Sequence, residues 1–524
     1  MLALLVAILA APPYSETADA QTSGSDVTFT WAQQFGTTAA DGARSVAVDP
    51  SDGSPIVAGY TNGTINPEGS PPGSSLNIQP NLSAGGTDAY VRKHSQGGEW
   101  QWTRQFGSSL SDDAFDTATD RQGNTYVAGY GNPANRSQAG AFIAKYTPDG
   151  RLATLKDANG NDVPWIRQFN AGRIWTFALD PEGNPYIAVS INSDVYMYKL
   201  DSQGNFEASE PFGAYGCYGS GLLDIAFGSA VGKSNDPSVY VTGLTSGQEI
   251  DDPNNCEIST GEDELFLIKF DGNLNRRWDK PVQFGSSPGA GNAYGVAVDS
   301  VGAAYVVGYT SGVIRDPSLI GEENIGGRDF FIVKIDEHAN PETGSMSPRV
   351  EWAEQFGTTG SDLARDVTID EADNLYVTGS TDGAFDGKSN AGGTDGFVGK
   401  YDTSGNELVV RQFGSAGTDS PQGIVYDTVT DSVFVAGNTN GALAGQRDAG
   451  RTDFDGFLVK VHADNLAAGP PQGSQTDKVP LIFVPGAAGT QLFYSKQFDE
   501  CPVQPTPDAP VTCTSEDQKI PSEK

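Results

Sequence analysis

The sequence predicts an all-β fold, a seven-bladed β-propeller closed by its N-terminal strand, and three observations predict it. First, an aromatic-Gly or aromatic-Asn pair closes a short strand seven times, at Phe35, Phe106, Phe169, Phe212, Phe284, Phe356 and Phe413. These landmarks lie much further apart than helical repeats do and match the length of a four-stranded blade. Second, four strand types recur between landmarks in a fixed order. Third, the strand count balances only if the chain closes into a ring.

The first strand alternates small and apolar residues and usually ends in Asp, as in Ser45-Val-Ala-Val-Asp49 and Arg365-Asp-Val-Thr-Ile-Asp370. A Gly-, Asn- and Asp-rich turn follows, suited to a tight hairpin. The second strand reads Tyr126-Val-Ala-Gly-Tyr130 or Tyr305-Val-Val-Gly-Tyr309, with Gly at 59, 129, 243, 308, 379 and 437 and Val189 as the exception. A Gly fixed at one strand position marks close backbone or ring packing. In the third strand an aromatic precedes Lys by three residues in all seven copies, at Lys93, Lys145, Lys199, Lys269, Lys334, Lys400 and Lys460. Aromatic enrichment with period-two alternation is a strand signature. The fourth strand is the Trp-x-x-Gln-Phe phrase of Trp31–Phe35, Trp102–Phe106 and Trp352–Phe356.

Seven first-to-third strand triplets begin near Ala43, Ala114, Ile174, Leu222, Ala293, Ala364 and Gln422. The first fourth strand precedes every triplet, and the last triplet has no fourth strand after it. The N-terminal strand is therefore expected to complete the last blade beside residues 455–462, which removes both free sheet edges. Together these phrases resemble the SBBP family of β-propeller repeats over residues 28–462. Blade 3 is the most degenerate copy, with Asn170 in place of Gly.

Composition bounds the rest. Asp plus Glu is 67 against 32 Lys plus Arg, a formal net charge of -35. Such a surface repels phosphate backbones, so nucleic acid is not an expected partner. Residues 2–11 form a short apolar run, followed by Pro12-Pro13 and by Ala18-Asp19-Ala20 before Gln21. This reads as a signal peptide over residues 1–20, and the protein is expected to be secreted, with cell-surface attachment as a variant of that reading. No other segment is long and apolar enough to span a bilayer.

The propeller is expected over residues 28–463, a Gly-, Pro-, Ser- and Gln-rich linker over 464–478, and a separate segment over 479–524. That segment opens Val479-Pro-Leu-Ile-Phe-Val484 and runs into Pro485-Gly486-Ala487-Ala488-Gly489-Thr490-Gln491-Leu492. The phrase resembles the first strand and oxyanion loop of lecithin–cholesterol acyltransferase-like α/β-hydrolases. The resemblance implies an oxyanion-type backbone N–H at Ala487 and a lid loop closed by Cys501 and Cys513. The chain thus ends in a short incomplete α/β-hydrolase-like segment, as expected of a truncated longer product, because 46 residues cannot bury a hydrolase core. The one Gly-x-Ser-x-Gly match, Gly285-Ser286-Ser287-Pro288-Gly289, falls in an expected propeller loop with no helix after it.

No catalytic residue and no metal ligand are assigned. His94, His338 and His462 follow third strands and read as exposed turn residues. The repeated Lys and Asp read as framework, since a residue demanded once per blade serves the blade. The turn Asp157-Ala-Asn-Gly-Asn-Asp162 has the oxygen-rich composition of a calcium loop but lacks its terminal Glu, so it reads as a hairpin turn and no cofactor is expected. The long insertions, at 61–87, 245–263 and 311–328, all follow second strands and so leave one face of the propeller. That face is expected to bind a protein, glycan or lipid ligand. Cys217 and Cys256 fall on the same face in neighbouring blades, and a disulfide between them is expected. The fold reading makes the chain a binding or scaffold module, with a propeller-fused lipase or acyltransferase as the alternative. The purified chain is expected to hydrolyse a short-chain ester no faster than a heat-killed control; activity above it would contradict this reading.

Overall fold

The computed structural model describes residues 27–65, 86–131, 140–157, 159–169, 172–191, 194–212, 225–231, 238–245, 264–278, 281–287, 291–315, 324–339, 346–385, 390–446, 453–466, 493–494 and 518–519. The chain divides into two compact units, Met1–Ala467 and Ala468–Lys524. In the second, Phe493–Tyr494 pairs with Gln518–Lys519. Ala487, Cys501 and Cys513 lie outside the described residues, as do Cys217 and Cys256.

The first unit is a seven-bladed β-propeller with two 3-10 turns, Leu443–Gly445 and Ala463–Leu466, as its described helical elements. Blade 1 runs from the inner strand Asp41–Val48 through Pro55–Thr61 and Asp88–His94 to the outer strand Trp100–Phe106. Blades 5 and 6 repeat this order from Gly291–Val298 and Asp362–Ile369. Blade 3 is complete despite its divergent sequence, from Arg173–Leu179 to Phe206–Phe212. Blade 7 takes its outer strand from the start of the chain: Trp31–Phe35 lies antiparallel to Asp455–His462, with Trp31 opposite Lys460. The ring closes as the strand count requires. Among the described residues no helix is long and apolar enough to cross a membrane.

Each element of the repeated phrases has a packing reason. The outer-strand Trp reaches the next blade, where its Nε1 donates to a turn carbonyl: Trp31 to Gln96 at 2.9 Å, Trp102 to Pro148 at 3.0 Å, Trp165 to Ser202 at 3.0 Å. Its ring lies on the Gly of that turn. Gly98 has φ 88°, and a Cβ there would come within 2.8 Å of the Trp31 ring, so both backbone and neighbour demand Gly. The outer-strand Gln instead clamps its own blade. Gln105 Nε2 donates to Gly63 O and Asp88 Oδ2, each at 2.8 Å, while its Oε1 accepts from Ile65 N at 3.1 Å. The Phe fills the seam between blades. Seven apolar clusters make up the described core, one at each blade–blade contact; Ile56, Val91 and Phe106 of blade 1, for example, pack with Val127, Phe142 and Tyr146 of blade 2.

The fixed Gly of the second strand has a less obvious cause. In every blade the inner strand carries a β-bulge at the same place, between Ala43 and Ser45 in blade 1 and between Ala364 and Asp366 in blade 6. Pairing with the second strand slips by one residue, and the bulge drives an inner-strand carbonyl toward the second strand. A Cβ on Gly59 or Gly379 would collide with the carbonyl oxygen of Gly42 or Leu363. Opposite, the third-strand aromatic covers the bare backbone: Tyr90 faces Gly59 and Phe397 faces Gly379.

One expectation needs correction and one, the hairpin reading of the calcium-like turn, agrees with the structure. Gly285, Ser286 and Ser287 do not form a loop but end the outer strand of blade 4, Val282–Ser287. They pair with Val313–Arg315, so the insertion after the second strand of blade 5 supplies a fifth strand to its neighbour. The calcium-like turn is a hairpin joining Thr154–Lys156 to Asp162–Pro164, with Asp157 Oδ1 accepting from the backbone N–H groups of Asn159 and Asn161 at 2.8 Å.

Replacing Gly379 by Val should overpack this contact and lower stability by about 2–3 kcal/mol. A urea midpoint equal to wild type would show that the bulge does not dictate the Gly.

Candidate functional site: the axial channel

The bulge leaves one inner-strand residue per blade without a ladder partner. Reading the register shifts in order, these residues are Arg44, Phe115, Trp175, Phe227, Tyr294, Arg365 and Gln422. The flanking positions are small or framework residues, yet the bulged residue is large and changes from blade to blade. Six of the seven line one cavity of about 240 Å³ on the propeller axis, together with Ser45, Asp116, Thr176, Asp366 and neighbouring inner-strand residues. The bulges fall near the starts of the inner strands. At that edge Asp41 faces Thr61 and Gly291 faces Thr310, where the second strands end and their insertions begin.

The channel mixes flat rings with guanidinium groups. Phe115 and Trp175 stack with ring centroids 4.6 Å apart and planes at 27°. Arg365 lies over the Tyr294 ring at 4.4 Å, and Arg44 over Tyr60 at 4.8 Å. Arg173 extends the belt, 5.2 Å from the Tyr130 ring and 5.6 Å from that of Trp175. Arg44 is also paired, its guanidinium 3.0 Å from Asp113 Oδ2. Burial pushes the Asp113 carboxyl up to about 6 against the pull of Arg44 and Arg173.

Two carboxylates in the channel wall join blades. Asp116 of blade 2 accepts from Ser45 Oγ of blade 1 at 2.8 Å, and from Phe177 N and Thr176 Oγ1 of blade 3 at 2.9 and 3.1 Å. Asp366 of blade 6 accepts from Val367 N at 2.8 Å and from Ile424 N of blade 7 at 2.9 Å. Enclosure by the blades pushes the Asp366 carboxyl up to about 7, and the charge of Asp116 adds to the effect. Asp116 itself is raised by burial.

The repeated Lys mostly pair within their own blades, though Lys269 reaches Glu337 and Lys334 reaches Thr403 O of the next blade. Lys93 Nζ is 2.7 Å from Asp49 Oδ2, with both side chains buried. In the other blades the Lys lies over the second-strand ring opposite it, as Lys145 over Tyr126 at 4.7 Å and Lys400 over Tyr376 at 4.8 Å. The histidines do not form a common site: they end the third strands of blades 1, 5 and 7. His94 is a correction, since it is a buried strand residue and not an exposed turn one. Its Nε2 accepts from Arg92 Nε at 2.9 Å, so Nδ1 carries the proton and donates to Gly98 O at 3.0 Å. Burial, with the Arg92 charge beside it, pushes its pKa down to about 3, so it stays neutral. Among the described residues no group of three or more His, Cys, Asp or Glu is placed to hold a metal.

Sequence reasoning missed the channel residues because the bulge is invisible to period-two counting. Its trace was present: in Ala43-Arg44-Ser45 and Ala364-Arg365-Asp366 a large residue follows the fixed small one and breaks the alternation.

Because Asp366 ionises reluctantly in the fold, its contribution is favourable at low pH and is lost as pH rises from the ordinary 3.8 to about 7. Asp366→Asn, which keeps an acceptor without the charge, should therefore stabilise the protein by about 1–2 kcal/mol at pH 8. At pH 5 the gain should largely vanish. Equal gains at both pH values in chemical denaturation would contradict the assignment.

Three segments match the SBBP family, described as a beta-propeller repeat, at residues 101–135, 351–386 and 410–443. Each spans the outer strand of one blade and the two inner strands of the next. No curated protein sequence matches the chain. Among solved structures, a streptogramin B lyase is 11% identical with a TM-score of 0.41, over 82% of this chain and 97% of that one. A polysaccharide lyase of family PL25, an ulvan lyase, is 11% identical with a TM-score of 0.42, over 84% and 100%. Sqt1 from Chaetomium thermophilum is 11% identical with a TM-score of 0.41, over 84% and 98%. The chain is a seven-bladed β-propeller that carries SBBP-type β-propeller repeats.

Proposed function

We propose that this protein is an exported binding module whose ligand enters the axial channel from the face where the second-strand insertions depart. One observation carries the reading: the blades share their framework residues, while the six bulged residues that line the cavity are Arg44, Phe115, Trp175, Tyr294, Arg365 and Gln422, of five types. The blade framework does not dictate the residue at this position, which leaves it open to recognition. Stacking faces, guanidinium groups and side-chain amides are the means of recognition, and their concave setting suits a ligand. The apolar N-terminal run and the small-x-small pattern before Gln21 support export to the cell surface or medium. The acidic balance of the chain disfavours nucleic acid. The alternative, a lipase or acyltransferase in which the propeller presents substrate, rests on the phrase at 479–513 alone.

Panels of immobilised glycans, peptides and lipids probed with the purified chain should retain it on at least one class. Trp175→Leu should weaken that binding about tenfold or more, as loss of a central aromatic does. Retention unchanged by Trp175→Leu, or no retention at all, would count against the channel as the site.

A further inference from the structure

We infer that the axial channel takes a single ring-sized group bearing a carboxylate, with Arg365 as the residue that holds the carboxylate; this rests on reading the channel as the binding site. Arg365 is the odd member of the ring. Among the described residues it makes no hydrogen bond and no ion pair, and its Nε is buried without a partner. The Tyr294 ring, 4.4 Å from the guanidinium carbon, is its described contact. Arg44, the other bulged guanidinium, has its carboxylate in Asp113. A buried Nε–H without an acceptor is costly, and no described side chain of the channel pairs with the guanidinium, so the channel holds a donor fork that is not satisfied from within.

The carboxylates nearby do not supply the acceptor. Both oxygens of Asp116 are taken by hydroxyl and backbone donors of three blades, and those of Asp366 by two backbone N–H groups. A ligand in the channel can supply that acceptor. A planar guanidinium fork matches a carboxylate, which accepts two parallel N–H bonds.

The walls define the rest of the ligand. A cavity of about 240 Å³ exceeds the roughly 150 Å³ that admits benzene, and it holds one substituted six-membered ring rather than two. Phe115, Trp175 and Tyr294 offer it flat faces. Ser45 and Gln422, also in the lining, offer polar groups that suit ring hydroxyls. A hexuronic acid and an aromatic acid share this chemistry.

Calorimetric titration of the purified full chain with glucuronate, benzoate, glucose and benzyl alcohol separates the cases. At least one acid should bind, with its neutral counterpart about tenfold weaker or worse, and the acid that binds identifies the source as sugar or aromatic. Arg365→Gln should abolish the preference for the acid. Arg365→Lys, which keeps the charge but not the fork, should lose affinity several-fold and serves if the Gln variant does not fold. Equal binding of acid and neutral ring, no binding of either acid, or unaltered affinity in the folded Arg365 variants would overturn the proposal. If the acids fail while Trp175-dependent retention on the ligand panel persists, this inference falls and the binding-module reading stands. If retention fails too, both fall.

Discussion

Each inner strand of this propeller holds one residue more than its partner strand can pair, and much of the molecule follows from that extra residue. The bulge turns the strand and pushes a carbonyl toward the second strand, which is why Gly recurs there. The bare backbone is then covered by an aromatic from the third strand. The residue left over cannot join the ladder, and in six blades it lines the channel. A single local irregularity, repeated seven times, thus accounts for the Gly and the aromatic that covers it in all blades but the third, where Val189 stands in the Gly position.

Between blades the structure depends on a second repeated contact. The outer-strand Trp of blades 7, 1, 2 and 5 donates to a turn carbonyl of the next blade, which keys each of these blades to its successor. The pairing of Trp31–Phe35 with Asp455–His462 carries the scheme across the chain ends. The core is correspondingly divided into seven seams, each shared by two blades. No blade buries its apolar surface alone, which is the usual condition of repeat architectures.

The acidic composition has a structural side. Many carboxylates serve as acceptors for the backbone: Asp120, Asp180 and Asp370 hold hairpin turns, and Asp116 and Asp366 hold neighbouring inner strands. Burying them has a cost, seen in the raised carboxyl of Asp366, which the hydrogen bonds offset in part. Against this background, Arg365 stands out: its Nε is buried without a partner and no carboxylate of the channel pairs with it.

The sequence by itself determined the blade count, the strand order and the ring closure, because each is a matter of repetition and counting along the chain. It also separated framework from variation, and the mostly local pairings of the repeated Lys agree with that separation. Only the tertiary structure decided that six of the variable residues meet in one cavity. Arg44 and Gln422 are far apart in sequence and adjacent in space, and the bulge that aims them inward leaves in the sequence only a break in the alternation. Nor could sequence show that His94 is buried or that Val313–Arg315 extends the neighbouring blade. Those facts depend on what lies across the sheet or in the next blade, and a pattern along one strand does not contain its neighbour.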